Sequence, residues 1–388
     1  MLTLHEAADG WLARVRLPGG RLTSQALGVL ATVCEQHGNG LIDLTARANL
    51  QLRGLGTGAG TQLASCLAAA GLLPSVAHDR VRNVLASPLA GRGPRALDEI
   101  DAVVALLDER VCASEALHDL PGRFCFLVDD GSGAIREMGP DVTLAARGGG
   151  RFGVALDGRA LEFEGDGAAA VDVAVRVAEA FVAARGDAWR LSETPGGAAT
   201  VAAALGLALT PMTRAVRTPA IPPGAVQQRD GGVALTALAP LGQLWPALLR
   251  ELARLGDDVR LSPRRTLTLV DLDAGRVDDT RAALTAAGLV LEDDSGWVGL
   301  TACAGAGACP RALADVRAAA SARAATRRAS DPPEHWAACE RRCGEAPGTP
   351  VAVVCNADDD VEVRFDARTW SVPTLEQAAG RLTLEAAR

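Results

Sequence analysis

Four cysteines in the last quarter of the chain could hold a metal cluster. They stand in two short segments, Thr301-Ala-Cys303-Ala-Gly-Ala-Gly-Ala-Cys309-Pro310 and His335-Trp-Ala-Ala-Cys339-Glu-Arg-Arg-Cys343-Gly344. Four thiolates from two loops can enclose one 4Fe–4S cluster, because such clusters are held by sets of four cysteines. The glycines let the first segment bend closely around a cluster. Pro310 predicts a helix from Arg311 to about Arg323, whose amino end would face the anionic cluster.

Three other uses of these cysteines stay open. Structural zinc prefers two to four residues between paired cysteines, and the C-x5-C pair fits that poorly. Disulfides require an oxidising compartment, and nothing in the sequence indicates export. Free cysteines are also often buried as small hydrophobic residues, so four unrelated core cysteines are the remaining alternative.

Composition limits the classes of protein that fit. The chain has 388 residues, 48% of them hydrophobic, which is enough for two or three domains. Acidic and basic residues are both numerous and sum to a formal charge of −8, so a nucleic-acid partner is not implied. The apolar run Val201 to Leu209 is too short to span a bilayer, and the first residues lack an apolar signal core. We therefore expect a cytoplasmic protein with no membrane partner. The sequence has no lysine, so every strongly basic side chain is an arginine.

A pattern of strands and helices occurs twice. In the first copy we predict a strand at 12–17, a helix at 22–37, two short strands within 41–54 and a helix near 60–70. In the second copy the corresponding segments are 233–238, 243–255, 259–270 and 278–287. Repetition of this kind predicts two half-domains that share one core.

Polar residues alternate with leucines in the first copy. Strand alternation would place Arg47, Asn49, Gln51 and Arg53 on the face opposite Leu50 and Leu52. Because leucines face a core, the polar row would face a cleft or solvent. In the second copy the matching positions are Arg264, Thr266, Thr268 and Val270, so one charge remains.

These motifs together resemble the family of the sirohaem nitrite and sulfite reductases and their relatives, the precorrin-3B synthases. The cysteine spacing is similar to the cluster motif of that family. Residues 45–54 resemble its T-x-R-x-N-x-Q-x-R-G signature, 82–91 its R-N-V-x-x-x-P-L-A-G stretch, and 120–131 its L-P-x-K-F-x-x-x-V-D-D-G strand. Arg123 stands at the lysine of the last motif, and Cys125 stands where sulfite reductases carry a second lysine. Loss of that second charge argues against reduction of a small oxyanion.

The resemblance covers nearly the whole chain and implies an α+β fold. It would consist of duplicated ferredoxin-like half-domains and two sulfite/nitrite-reductase-type α/β domains, the last carrying the cluster loops. The implied division is 1–75 for the first half-domain, 76–194 for a central tetrapyrrole-binding domain and 195–225 for a linker. The second half-domain would be 226–294 and the cluster domain 295–388. Glycine-rich Arg147 to Arg151 predicts a hairpin turn.

Within the family, length and the Val128 to Gly131 stretch are more similar to the precorrin-3B synthases. Their reaction uses dioxygen to hydroxylate precorrin-3A, with closure of a γ-lactone, in aerobic cobalamin synthesis. The resemblance implies a 4Fe–4S cluster on the four cysteines, a mononuclear non-haem iron, and an external electron donor, either NADH through a reductase or a ferredoxin. A sirohaem-dependent nitrite or sulfite reductase is the alternative, with sirohaem bridged to the cluster through one cysteine. A non-catalytic electron-transfer or tetrapyrrole-binding protein is a further alternative.

The polycarboxylate substrate suits an arginine-lined cleft, because guanidinium groups bind carboxylates in charge-assisted, often bidentate pairs. We assign catalytic roles to Arg47 and Arg123. The resemblance implies a larger set of substrate-binding residues: Arg47, Asn49, Gln51, Arg53, Arg80, Arg82, Asn83, Arg123 and Arg264. The iron ligands are not readable, since His78, His118 and His335 lack facial-triad spacing. Arg342 also departs from the family, which usually has a small residue before the last cluster cysteine.

Overall fold

The computed structural model describes residues 3–210, 221–346, 348–357 and 360–386. The first segment forms β1 (Leu4–Ala7), β2 (Gly10–Val15), β3 (Arg21–Thr23), α1 (Ser24–His37), β4 (Ile42–Leu44), β5 (Leu50–Leu55) and α2 (Ala59–Ala69). The central segment forms β6 (Val84–Ala86), α3 (Asp101–Ala113), β7 (Phe126–Asp129), β8 (Val142–Gly148), β9 (Arg151–Leu156), β10 (Arg159–Asp166), α4 (Gly167–Ala184) and α5 (Gly197–Ala204).

The second copy of the repeat and the cluster segment complete the chain. The copy forms β11 (Gly224–Gln227), β12 (Val233–Leu238), β13 (Gln243–Leu244), α6 (Pro246–Leu255), β14 (Asp258–Leu261), β15 (Thr266–Leu272) and α7 (Val277–Ala286). The cluster segment forms β16 (Leu300–Ala302), α8 (Val316–Ala324), β17 (Glu334–Ala337), β18 (Val351–Cys355), β19 (Val361–Phe365), β20 (Arg368–Val372) and α9 (Leu375–Ala386).

The two copies of the repeat exchange strands. Strand β13 pairs with β4, which gives one sheet of order β1-β2-β5-β4-β13, and β3 pairs with β14, which gives a second of order β11-β12-β15-β14-β3. Helices α1 and α6 pack against each other, and one continuous apolar core contains buried residues of both copies. The α+β fold with ferredoxin-like half-domains is therefore confirmed.

Tight glycine turns make this exchange possible. Gly20 has φ +68°, and a Cβ placed there would lie 2.3 Å from the carbonyl oxygen of Leu261 in β14. Gly242 has φ +73°, and its Cβ would lie 2.8 Å from the carbonyl oxygen of Leu44 in β4. Only glycine permits so close a backbone approach at such dihedral angles. Each copy thus begins its exchanged strand directly against the other copy's sheet.

Helix α1 illustrates why the sequence forms these elements. The Thr23 side chain accepts a hydrogen bond from the backbone N–H of Ala26 at 3.2 Å, which caps the first turn. Leu27, Leu30 and Cys34 then recur at helical spacing and are buried against the sheet. The helix ends at Gly38, whose N–H donates to the Cys34 carbonyl. Helix α1 also packs against α6 of the other copy.

The remaining two sheets combine parallel and antiparallel strands. The central sheet has the order β10-β9-β8-β7-β6, with β6, β7 and β8 parallel. The last sheet has the order β16-β17-β18-β19-β20, with β16, β17 and β18 parallel. Since parallel strands end at the same edge, the loops after β16 and β17 are neighbours. These are the two cysteine loops.

Several boundaries differ from the sequence predictions. The helix expected directly after Pro310 begins at Val316, because Asp315 accepts from the Ala318 N–H and caps it there. The predicted linker contains α5, and its residues 211–220 lie outside the described residues. The hairpin at Arg147 to Arg151 is present as the β8–β9 turn. The predicted domain boundaries themselves stay a prediction.

Among the described residues, no helix combines the length and apolar character needed to cross a bilayer.

Candidate functional site

The cysteine loops lie at the carboxyl ends of two adjacent parallel strands. Cys303 directly follows β16, and Cys339 comes two residues after the end of β17. The Cys303 N–H donates to the Trp336 carbonyl at 2.9 Å, and the Ala338 N–H donates to the Cys303 sulfur at 3.2 Å. The strand pairing thus fixes where the first thiol of each loop lies.

The four thiols form one electrostatic group. Cys303, Cys309 and Cys339 are partly buried, and Cys343 is exposed. Burial raises the pKa of Cys343, and the nearby thiols of Cys339, Cys303 and Cys309 raise it further. Binding to iron would favour the thiolate form of Cys343.

The donor set fits a 4Fe–4S cluster. In the described parts of the chain, no group of three or more His, Cys, Asp or Glu side chains is drawn together tightly enough for a single metal ion. In a 4Fe–4S cluster each thiolate binds a different iron, so the thiols need not meet at one point. Arg342, with φ +50°, directs its side chain to Glu362 of β19 at 2.7 Å, so its bulk is turned toward the sheet.

Two arginines hold the first cysteine loop through its backbone. Arg53 of β5 donates to the Ala308 carbonyl and pairs with Asp9, with Nε to Oδ2 at 3.0 Å. Arg317 of α8 donates to the Cys303 carbonyl at 3.2 Å and pairs with Asp43 of β4 at 2.7 Å. Arg53 is buried and fully engaged. These bonds indicate that Arg53 holds the loop in place, rather than contacting a carboxylate substrate as the sequence predicted.

The polar row of the first copy does not lie along one strand face, which corrects the alternation argument. Arg47 and Asn49 precede β5 in a turn from Thr45, and Ala48 within it has φ +52°. The Thr45 hydroxyl accepts from the N–H groups of Arg47 and Asn49 at 3.3 and 3.1 Å. This side-chain-to-backbone bonding replaces strand pairing. Gln51 does lie in β5, opposite Arg14 of β2.

Three further predicted residues are buried with protein partners. The Asn49 amide donates to the Asn83 side-chain oxygen at 3.1 Å and accepts from the Leu17 N–H at 2.8 Å. The Asn83 amide donates to the Phe124 carbonyl. Arg82 forms a bidentate pair with Asp108, with both N–O distances 2.7 Å. The Asn49–Asn83 bond joins the first copy to the central domain, and the other bonds lie within the central domain. None of the three polar ends is left free for a ligand.

Five arginines lie around the Gly122 segment, and four of them have no carboxylate partner among the described residues. We call this group the arginine cleft; it comprises Arg14, Arg16, Arg47, Arg80 and Arg123. Arg16 and Arg47 both donate to the Gly122 carbonyl, at 3.1 and 3.4 Å. Arg123 is more than half exposed and lies 3.8 Å from Glu193, a distance and exposure at which the pair is weak.

Arg14 and Arg16 are functional candidates that the sequence reasoning did not name. Burial lowers the pKa of Arg16 to about 10, and the charges of Arg47 and Arg14 act in the same direction. Its Nε is buried and, within the described residues, has no hydrogen-bond partner. Burial also lowers the pKa of Arg14, and the charge of Cys343 opposes that shift. The Arg-x-Arg alternation at the end of β2 was the available signal.

Cys125 contributes an uncharged thiol to the arginine cleft. It is buried, and burial raises its pKa to about 11 although Arg47, Arg190 and Arg16 favour the thiolate. Arg190 pairs with the buried Asp141 at 2.7 Å, so its charge is already compensated.

Beside the Gly122 segment, a cavity of about 360 Å³ is lined by Arg80, His118, Arg185 and Trp189, among others. The cleft therefore offers several cations and one neutral thiol.

The remaining motif residues are structural or peripheral. Asp129 accepts from the N–H groups of Gly131 and Gly133, and Asp130 accepts from the Gly91 N–H at 3.0 Å, so the V-D-D-G and P-L-A-G stretches support each other. Arg264 pairs with Glu137 and is partly exposed. His78 is hydrogen-bonded by Ser75 and Ser114 and contacts His118.

Comparison with known proteins identifies the same group of enzymes. Residues 5–63 match the nitrite/sulfite reductase ferredoxin-like half domain. A precorrin-3B synthase of Sinorhizobium sp is 33% identical over 201 residues, which is 52% of this chain and 35% of that protein. A ferredoxin–nitrite reductase of Synechococcus elongatus is 35% identical over 127 residues, which is 31% of this chain and 25% of that one.

The similarity in fold extends over nearly the whole chain. The solved structure of the Mycobacterium tuberculosis NirA protein superposes with a TM-score of 0.74 at 18% identity, covering 96% of this chain and 79% of that one. The curated relatives are longer, and the matched segments span about a third of their length or less. The resemblance to the sirohaem nitrite/sulfite reductase family and to precorrin-3B synthase is confirmed.

Proposed function

We propose that this member of the nitrite/sulfite reductase group is a precorrin-3B synthase. It would hydroxylate precorrin-3A with dioxygen and close a γ-lactone in aerobic cobalamin synthesis. One oxygen atom enters the product and the other leaves as water, so an external donor, NADH through a reductase or a ferredoxin, supplies two electrons. The enzyme would be an oxidoreductase of the monooxygenase type.

The observation that carries the proposal is the arginine cleft over a neutral thiol. Precorrin-3A bears many carboxylates, and the cleft holds arginines that lack carboxylate partners in the described residues. Cys125 occupies the position at which a sulfite reductase has a second fixed cation, and its buried thiol stays protonated. A site of this kind suits a large polyanion better than a small oxyanion.

The match to a precorrin-3B synthase also supports this choice. It extends over 52% of the chain, whereas the match to the Synechococcus nitrite reductase extends over 31%. The matched precorrin-3B synthase is longer than the matched segment, so the reaction of the whole enzyme is an inference from part of its length.

The chain's own residues would act by binding and orientation. Arg47 and Arg123 would bind substrate carboxylates, and Arg14 and Arg16 would hold the edge of the macrocycle near Cys343. Fixing the reacting edge in one place makes the step effectively intramolecular. Cys303, Cys309, Cys339 and Cys343 would hold the 4Fe–4S cluster, which supplies electron transfer when bound. The ligands of a mononuclear iron are not assigned.

The test is a single-turnover reaction with labelled dioxygen. Anaerobically purified, reduced protein is mixed with precorrin-3A and ¹⁸O-labelled dioxygen, and the product is examined by mass spectrometry. We expect one labelled oxygen atom in a lactone product. An Arg47→Ala variant serves as the matched control, because it should lose product formation while keeping its iron and sulfide. Unlabelled product, or none from the intact protein, would reject the assignment.

A sirohaem-dependent nitrite or sulfite reductase is the second candidate, favoured by the match to ferredoxin–nitrite reductases. The absorption spectrum of anaerobically purified protein separates the two. Sirohaem gives strong visible bands, whereas a cluster alone gives a broad brown shoulder. Bound sirohaem with nitrite or sulfite turnover, and no reaction with precorrin-3A, would establish the reductase. A cluster without either turnover would favour a non-catalytic electron-transfer or tetrapyrrole-binding protein.

A further inference from the structure

A buried arginine of the second copy lies behind the last cluster cysteine. Arg265 follows Arg264 in the turn between β14 and β15, has φ +64°, and is 7% exposed. A Cβ placed on Gly344 would lie 3.4 Å from Nη2 of Arg265, so the guanidinium group rests against the backbone that follows Cys343. No sequence motif singled out this residue.

Arg265 has no ion pair within the described residues. Among the described residues, its side chain makes one hydrogen bond, donated from Nη1 to the Pro263 carbonyl at 3.0 Å. Burial lowers the pKa of Arg265 to about 10, with Asp43 opposing the shift and Arg317 adding to it. Asp43 is already committed to Arg317 at 2.7 Å. A buried cation of this kind is costly unless an anion is near it.

The histidine beside Arg265 is neutral and offers no negative charge. Nδ1 of His335 lies 2.8 Å from the Thr301 hydroxyl oxygen, which itself lies 3.2 Å from the Glu334 carbonyl oxygen. Burial lowers the pKa of His335 to about 3, so the ring is uncharged. Cε1 of His335 lies 3.7 Å from the position that a Cβ on Gly344 would occupy. An uncharged ring cannot compensate the charge of the guanidinium group.

We infer that Arg265 is a positioning residue whose charge is compensated by the cluster thiolates and which thereby raises the reduction potential of the cluster. The inference rests on the cluster site of the proposed function. A 4Fe–4S cluster with four thiolate ligands is anionic and becomes more so on reduction. A nearby cation stabilises the reduced form more than the oxidised form. In a buried site this interaction is screened little by solvent.

The experiment compares side chains of similar length that differ in charge. Arg265→Met removes the charge, Arg265→Lys keeps it, and all three side chains impose the same positive-φ strain because each has a Cβ. Arg264→Met is the matched control: it removes the adjacent guanidinium, which is partly exposed and already paired with Glu137. Each protein is purified anaerobically, its iron and sulfide are measured, and the cluster potential is determined by a titration followed by EPR.

We expect Arg265→Met to shift the midpoint potential downward, and Arg265→Lys and Arg264→Met to stay near the wild type. Without the cluster, the Arg265→Met chain should unfold at the same or a higher temperature than wild type, because an uncompensated buried charge has been removed. Loss of the cluster in Arg265→Met but not in Arg265→Lys would also support the role of charge.

Three results would overturn the inference: an unchanged potential in Arg265→Met, loss of the cluster in both Arg265 variants, or no cluster in the wild-type protein. Turnover of precorrin-3A is measured separately. An intact potential shift without that turnover would reject only the proposed reaction. Turnover with an unchanged potential would reject only the role of Arg265.

Discussion

The two copies of the repeat carry the same turn and use it differently. In the first copy, the Thr45 hydroxyl accepts from the Arg47 N–H, and the Thr45 N–H donates to the Asn49 carbonyl at 2.8 Å. In the second copy, the Ser262 hydroxyl accepts from the Arg264 N–H, and the Ser262 N–H donates to the Thr266 carbonyl at 2.9 Å. The residues at the positive-φ position are Ala48 and Arg265, with φ +52° and +64°.

The two turns differ in where their arginine side chains lie. The first turn directs Arg47 into the arginine cleft and places the small Ala48 beneath it. The second turn pairs Arg264 with Glu137 near the surface and buries Arg265 behind Gly344. The two turns thus share their backbone geometry, and the second has an additional arginine, Arg265, where the first has Ala48.

The largest expected effect follows from removing a cluster thiol. Replacing Cys303, Cys309, Cys339 or Cys343 by Ser should abolish or badly reduce the iron and sulfide content, because a 4Fe–4S cluster needs all four thiolates. The control is Cys66→Ser, a partly buried thiol of α2 outside these loops. If the Thr45 turn binds the tetrapyrrole independently of the cluster, tetrapyrrole binding should persist in the Cys303 and Cys309 variants. Normal iron and sulfide in all four variants would refute the site.

The next largest effect concerns stability, through Gly20 and Gly242, where each copy closely approaches the backbone of the other. Gly20→Ala should lower the free energy of unfolding by about 3 kcal/mol or more, because the new Cβ would lie 2.3 Å from the Leu261 carbonyl oxygen at a positive φ. Gly242→Ala, at 2.8 Å from the Leu44 oxygen, should cost less. Gly40→Ala is the control, since Gly40 also has a positive φ but no atom within 4 Å.

Urea unfolding gives these three values. Equal losses in Gly20→Ala and Gly40→Ala would mean that backbone strain alone, and not the contact with the other copy, sets the cost.

Ligand binding should distinguish Arg47 from its counterpart Arg264. Arg47→Ala and Arg123→Ala should each weaken tetrapyrrole binding by roughly 1.5–3 kcal/mol, the usual contribution of a hydrogen bond to a charged group. Arg264→Ala should have a much smaller effect, because Glu137 already pairs with it. Tryptophan quenching or calorimetry measures the affinities. Equal losses for Arg47→Ala and Arg264→Ala would show that both turns bind the ligand, as the sequence prediction had it.

The smallest expected effect is a pKa shift beside the cleft. Burial lowers the pKa of His5 from its ordinary value of 6.5, and Arg14 and Arg80 lower it further. Arg14→Met should therefore raise the His5 pKa, which an NMR titration of the His5 ring protons would report. Since the folded pKa lies below the unfolded one, the His5 contribution to stability is present above pH 6.5 and lost as the pH falls from there. An unaltered His5 pKa in the variant would place Arg14 away from that ring.

Sequence reasoning could locate what depends on local pattern. The strand Val233–Leu238 was predicted with its observed bounds, because alternation and flanking glycines mark it. The cysteine loops are readable because their spacing is short and their residue types are few. The same reasoning failed for Arg47 and Asn49, where the Thr45 hydroxyl competes with strand pairing for the backbone.

What sequence could not provide are contacts between distant segments. The pairing of Arg82 with Asp108 and the bond from Arg53 to the Ala308 carbonyl decide that these arginines are engaged, and neither follows from spacing. Arg265 was missed because its neighbours, Gly344 and His335, are brought to it only by the packing of the last sheet on the second copy. Charge alone does not reveal whether an arginine faces a ligand or the protein.

The exchange of strands also has a consequence for synthesis on the ribosome. Asp43 pairs with Gln243 and Leu22 with Val259, so the edge of β4 stays open until the second copy has emerged. In the meantime the whole central domain is made. Long-range pairing of this kind slows folding, and an open strand edge invites association with other chains. We therefore expect fragments that end before Gln243 to be poorly soluble, and cells to need chaperones to carry the nascent chain past this point.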